Sequence, residues 1–131
     1  MHEIEINTSK KEEILDITNN ILNLCKQEEI FDGICYIYIP HTTAGISINE
    51  NADPAVKKDI LKILKHIIPG NLNYEHAENN SPAHAKAMLC GFSIEIFIEN
   101  GALNLGTWQG IYFCEFDGPR RRYIHVKFIR T

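Results

Sequence analysis

The chain reads as a single α+β domain with a mainly antiparallel, β-sandwich-like core and two to three packed helices. Three observations predict this. Short alternating β-rich runs occupy both ends, helical periodicities are inserted between them, and the C-terminal strands follow one another without crossover helices. That last feature argues against a doubly wound parallel sheet. The 131 residues, 44% hydrophobic, suffice for one core and leave no room for a second domain, so the whole span 1–131 is read as one unit.

Glu3 to Asn7 alternates as a short strand. Ser9 with Glu12 has the spacing of a capping box ahead of Ile14, Ile17, Ile21 and Leu24, which predicts a long first helix. Ile34 to Ile39 is continuously apolar and stops at Pro40, as expected of a central strand covered on both faces. After an HTTAG turn, Ile46 and Ile48 alternate with Ser47 and Asn49 in another strand that ends at Glu50. Asp53 as N-cap and Pro54 in the first turn open a second helix with an apolar stripe of Val56, Ile60, Ile63 and Ile67, closed by Pro69-Gly70. Residues 71–80 are polar and irregular. Ser81-Pro82 starts a third helix that carries His84 and stops at Gly91. Phe92, Ile94, Ile96 and Ile98 then line one strand face, Glu99-Asn100-Gly101 supplies a hairpin turn, and strands follow near Leu103, at 111–116 and at 123–129.

A formal charge of −4 and a pI near 5.8 lack the footprint of a nucleic-acid binder, and the run Arg120 to Arg122 is too short to restore it. Neither a signal-peptide pattern nor a membrane-length apolar run is visible, which predicts a cytoplasmic protein without a membrane partner. Cys25, Cys35, Cys90 and Cys114 stand apart without CxxC spacing and read as core thiols in a reducing compartment.

The richest segment is LGTWQGIYFCEFDGPRRR, residues 105–122. Gly106 and Gly110 bracket a bend that presents Trp108 and Gln109. Beyond it, Glu115 falls in line with Ile111 and Phe113, where a carboxylate needs a partner or carries a raised pKa. Arg120 and Arg122 project to one side as forked donors for an anion, or are simply solvated edge charges. His41, His76 and His84 lie beside Pro, Asn or helix-start residues. With Glu50 or Glu115 they form a candidate divalent-metal or acid/base cluster; the alternative is three unrelated surface histidines. Thr42 and Thr43 add hydroxyls suited to phosphate or carboxylate, and Trp108 can stack on a ring or plug a core edge.

Taken in order, HTTAGISINENADP, YEH, SPAHAKAMLCG and GALNLGTWQGIYFCEFDGPRRR resemble the YjbQ-like (UPF0047) family, also named secondary thiamine-phosphate synthase, over essentially the whole chain. The resemblance implies a homotrimer of β-sandwich-like α+β subunits with a polar cleft. It places the family's polar signature on His41, Thr42, Thr43, Glu50, Asp53, His76, His84, Gly106, Thr107, Trp108, Gln109, Glu115 and Arg120. In place of the longer glycine-rich stretch of some members, this chain has Glu78-Asn79-Asn80-Ser81-Pro82. The family name implies a transferase that joins a pyrimidine diphosphate to a thiazole phosphate with release of diphosphate. On that reading His84 and Glu115 are catalytic, Glu115 also binding the pyrimidine amino group. His41, His76 and His84 hold a divalent metal. Thr42, Thr43, Glu50, Trp108, Gln109, Arg120 and Arg122 bind the phosphorylated substrates. The other readings are a non-catalytic trimeric binder of an anionic metabolite and a metal-dependent hydrolase.

Overall fold

The structure, a computed structural model describing residues 1–131, contains two antiparallel sheets and three helices. The strands are β1 (His2–Asn7), β2 (Glu13–Asp16), β3 (Gly33–Tyr38), β4 (Ala44–Glu50), β5 (Ser93–Glu99), β6 (Ala102–Leu103), β7 (Gln109–Glu115) and β8 (Arg121–Arg130). The helices are α1 (Thr18–Gln27), α2 (Pro54–Ile67) and α3 (Ser81–Cys90). One sheet has five strands in the order β1-β8-β3-β5-β6, and the other has three in the order β2-β7-β4. This is the α+β architecture expected. No helix is long and apolar enough to cross a membrane.

The main core lies between the sheets and α1, built from residues such as Ile21, Ile37, Ile46, Ile98, Phe113 and Val126. A second, smaller cluster joins Ala83 and Ala87 of α3 to Tyr112 and Cys114 of β7 and to Phe116 just beyond it. Strand β7 is thus buried on both faces from Gly110 to Glu115: one row feeds each cluster. The β5–β6 hairpin turns on Asn100 and Gly101, both at positive φ (52° and 76°), as a two-residue hairpin of this hand requires.

Two expectations are corrected. The first helix does not begin near Ser9, because Glu13–Asp16 pairs with β7 instead, placing Leu15 opposite Phe113. Ile14 and Leu15 gain more by covering the core as a strand than by extending an isolated helical turn. Glu13, not Glu12, accepts the Ser9 N–H (2.6 Å), and the helix starts only at Thr18, whose N–H donates to Asp16 (2.9 Å). Strand β3 is central within its sheet but covered on one face only. Cys35 and Ile37 are buried, while Tyr36 and Tyr38 point outward and are exposed.

The second helix follows its signals: Asp53 accepts the Ala55 N–H (2.9 Å) and Pro54 occupies the first turn. Its apolar stripe nevertheless contains no buried residue, and Ile63 and Ile67 are exposed.

Candidate active site

The carboxylate flagged by its apolar row anchors the site. Glu115 is fully buried, and four bonds saturate it. Its Oε1 accepts from Thr8 (2.8 Å) and from Arg122 Nε (2.9 Å), while Oε2 accepts from Arg122 Nη2 (2.5 Å) and the Asp117 N–H (3.0 Å). Burial pushes the Glu115 pKa up, but the bonds from Arg122, Asp117 and Thr8 and the Arg122 charge outweigh it and leave it below the usual value. The carboxylate is therefore ionised and enclosed. It has no spare lone pair for a substrate amino group and no proton to trade, so the catalytic role expected of it becomes one of positioning Arg122.

Arg122 is likewise enclosed, not a free anion clamp. Its Nη2 also donates to Thr43 Oγ1 (2.7 Å) and the Thr43 carbonyl (3.3 Å), which ties the HTTAG turn to the ion pair. These bonds use Nε and Nη2 and leave Nη1 outside them. Arg120, by contrast, is exposed and braced by the carbonyl and carboxylate of Asp117 (2.9 and 3.0 Å).

Above this pair opens a recess of about 270 Å³ with no hydrophobic lining; its walls include His41, Thr42, Thr43, Asn80, His84 and Arg120. His41 is fixed by its ring: Nε2 lies 2.9 Å from the Tyr123 N–H and 3.1 Å from the Tyr123 carbonyl oxygen. The β3–β8 register explains this. Tyr38 faces His125, so its continuation would set Pro40 opposite Tyr123, and Pro40 has no N–H to offer. The imidazole takes over the ladder where the proline ends it. Burial, then the Arg122 charge, holds the His41 pKa below 6.5 against the opposing bond to Tyr123.

His84, in the first turns of α3, meets His76 from the preceding loop edge-on, with ring centroids 5.3 Å apart. His76 itself is exposed and lies 4.0 Å from Glu78. The three histidines gather at one end of the molecule, but they do not close a metal-ligand set, and no three His, Cys, Asp or Glu side chains converge as one. His41 Nε2 is committed to Tyr123, which leaves its Nδ1 and the rings of His76 and His84 outside those bonds.

Glu50, Trp108 and Gln109 stand apart from this recess. They sit at the opposite end of β7, where Glu50 pairs with Gln109, six residues or about 20 Å along the strand from Glu115. The expected bend is there. The Gly106 N–H donates to Gln109 Oε1 (2.7 Å), and Gly110 passes so close to Asn51 that a side-chain carbon would fall 2.9 Å from it. Trp108 is 65% exposed. Within one subunit these three residues do not line the recess.

Asn80 went unrecognised as a site residue. It occupies the N-cap of α3 without capping it, since Pro82 has removed one of the N–H groups it would serve. Its Nδ2 donates to Asp117 (2.8 Å), its buried Oδ1 has no partner in the chain, and the residue lines the recess wall. A preferred capping residue directly before Ser-Pro was the signal available in the sequence.

The model of a family described as UPF0047 protein YjbQ-like matches residues 2–131. Among similar proteins, UPF0047 protein MJ1081 of Methanocaldococcus jannaschii is 56% identical over 125 residues, covering 95% of this chain and 91% of that protein. UPF0047 protein YugU of Bacillus subtilis is 48% identical over 127 residues, with 96% of each covered. The crystal structure of an uncharacterized conserved protein of the yjbq/upf0047 family from Clostridium acetobutylicum superposes with a TM-score of 0.96 at 51% identity, covering 98% of this chain and all of that one. Hypothetical protein APE1520 from Aeropyrum pernix K1 gives 0.94 at 30% identity, over 99% and 98% of the two chains.

Proposed function

The chain belongs to the YjbQ-like UPF0047 family, and on that footing we propose that the recess binds the diphosphate of a small heterocyclic substrate and catalyses transfer of the heterocycle with release of diphosphate. The reaction is that of a thiamine-phosphate synthase. A thiazole nitrogen attacks the methylene carbon of a pyrimidine diphosphate, the C–N bond forms, the C–O bond breaks, and diphosphate leaves with the electron pair. The observation that carries this reading is the wholly polar recess with Arg120 at its rim, the Thr42 and Thr43 hydroxyls beside it and an imidazole at the helix start. Arg120 and the Arg122 Nη1 edge oppose the charge on the leaving group. His84 donates the proton that diphosphate takes up, with His76 against its ring. Asn80 Oδ1 accepts from the heterocycle. A divalent ion held by His76 and His84 would add charge neutralisation, but two imidazoles are an incomplete set, and no step here depends on it.

The subunit is proposed to work as a homotrimer. Ile34, Phe97 and Ile129 sit side by side across β3, β5 and β8, and Tyr36, Tyr38 and Phe92 extend the same exposed apolar surface, which an assembly would cover. Assembly is also the route by which Trp108 of a neighbouring subunit could reach the recess. A second reading, a non-catalytic binder of the same anions, is favoured by the saturation of Glu115, which removes the buried carboxylate from proton transfer. Incubation with a pyrimidine diphosphate and a thiazole phosphate tests both. Coupled product with stoichiometric diphosphate supports the synthase; tight binding without product supports the binder; phosphate released from simple phosphoesters points to a hydrolase.

A further inference from the structure

A second cavity, of about 240 Å³, lies beneath α2 on the opposite face of the three-stranded sheet from the main core. Ile60 and Leu64 of α2 roof it, Tyr112 and Phe116 form its floor, and both Cys90 and Cys114 line it. It keeps the inner face of α2 only partly buried: Leu61 and Leu64 pack against the cluster of Tyr112, Cys114 and Phe116, but no residue of the helix is buried. The two sulfurs belong to different elements. Cys90 ends α3, Cys114 lies in β7, and Cys90 packs against the apolar cluster that contains Cys114. A glycine makes that contact possible. Gly45 is the cross-strand partner of Cys114, and a side-chain carbon there would fall 2.9 Å from Cys90 Sγ and 3.1 Å from its Cβ. With no side chain at Gly45, Cys90 settles over β4, donating to the Ile46 carbonyl (3.6 Å), beside Cys114.

We propose that Cys90 and Cys114 form a redox-active dithiol, reached through the cavity beneath α2, which hydrogen peroxide converts to a disulfide bridging α3 to β7. Cys90 is the attacking group because it is only half-buried, whereas Cys114 is buried. The Cys90 thiolate attacks one peroxide oxygen, the O–O bond breaks, and the departing hydroxide is protonated to water. Cys114 then attacks the resulting sulfenic sulfur, the S–O bond breaks, and a second water leaves. The two thiols lose two hydrogens in all, and the peroxide is reduced to two waters.

The surroundings suit a thiolate in part. The ammonium groups of Lys57 and Lys86 line the same cavity, although Glu12 already pairs with Lys86 (2.6 Å). Opposing them are the Glu50 carboxylate on the cavity wall and the negative end of α3. The neighbouring Cys114 thiol outweighs burial and lowers the Cys90 pKa, and the same proximity, with burial, pushes that of Cys114 up. The molecule also carries its own control. Cys25 and Cys35 are a second pair of thiols, fully buried in the main core, and burial pushes Cys35 up to about 12 with the charge of Cys25 adding to it. Proximity without access leaves them inert. The bridge would fasten the helix carrying His84 to the strand carrying Glu115.

The test is to expose the folded, full-length protein to hydrogen peroxide, block free thiols with N-ethylmaleimide after denaturation, and map the peptides by mass. A Cys90–Cys114 bridge that is two hydrogens lighter, with Cys25 and Cys35 alkylated, is the expected result. Four alkylated cysteines, a Cys25–Cys35 bridge, or Cys90 running on to sulfinic acid without a bridge would overturn the proposal. Cys114→Ser should stop Cys90 at a sulfenic acid that dimedone traps. Should that buried substitution unfold the chain, Cys90→Ser at the half-buried position serves instead, and Cys114 oxidising there as fast as Cys90 does in the parent also overturns it. Every readout is a mass, so the outcome is independent of whether the recess binds or turns over diphosphates.

Discussion

The two ends of β7 carry polar residues from one continuous motif, yet they are held in opposite ways. At the C-terminal end, Glu115 is buried under four hydrogen bonds and organises Arg122, Thr43 and Thr8 into one enclosed network. At the N-terminal end, Trp108 and Gln109 are exposed, and Gln109 spends its amide oxygen on its own turn. The difference teaches that a motif in the sequence need not be a single site. A buried carboxylate must be satisfied by its own chain, whereas an exposed indole waits for a partner or has none.

The largest effect should come from breaking the enclosed end. Glu115→Ala strands the buried Arg122 guanidinium and should cost about 3–5 kcal/mol in urea unfolding. Combining Glu115→Leu with Arg122→Met should recover much of that loss, since no unpaired charge then remains. Recovery of stability without recovery of ligand binding would separate the scaffold role of the pair from the recess it supports.

Within the recess, His84→Ala should lower turnover by about 10²-fold or more if His84 supplies the proton. Stability should change by less than about 0.5 kcal/mol, because the ring is not part of either core cluster. An equal loss in the control His125→Ala, whose ring is on Glu3 (3.0 Å), would argue against a specific role.

Acid should weaken the enclosed end in two stages. His41 has a folded pKa below 6.5, so under that pH the unfolded chain takes up a proton that the fold refuses, and stability declines. Glu115 has a folded pKa below 4.5, so its contribution is present above that value and is lost as pH falls through the folded one. Urea midpoints between pH 8 and 3 should therefore be flat at first, fall below about 6.5 and fall again below 4.5; His41→Gln should remove the first decline and keep the second.

The smallest effect belongs to the exposed end. Trp108→Ala should shift stability of the isolated subunit by no more than about 0.5 kcal/mol. The informative measurement is light scattering with ligand titration. If Trp108→Ala weakens binding only where a homotrimer is present, a neighbouring subunit's Trp108 completes the recess; Phe97→Glu, placed on the exposed apolar face, should dissociate that trimer.

Periodicity and local chemistry were enough to read most elements. The alternation in β7 marked Glu115 as a carboxylate in an apolar row, Asp53-Pro54 marked the start of α2, and Asn100-Gly101 marked the last hairpin; each is decided by backbone geometry within a few residues. The fold class followed from their order. Glu13–Asp16 did not, because its apolar spacing suits a helix as well as a strand, and only pairing with β7 chose between them. The site was half legible for the same reason. Sequence chemistry picked His41, Thr43, His84 and Arg120, and the structure brings them to one recess. It could not show that Arg122 would be consumed by Glu115, that Pro40 would commit His41 to Tyr123, or that Glu50 and Trp108 would lie a strand's length away. Those outcomes depend on register between segments distant in the chain, where burial and hydrogen-bond satisfaction are settled only once the strands have met.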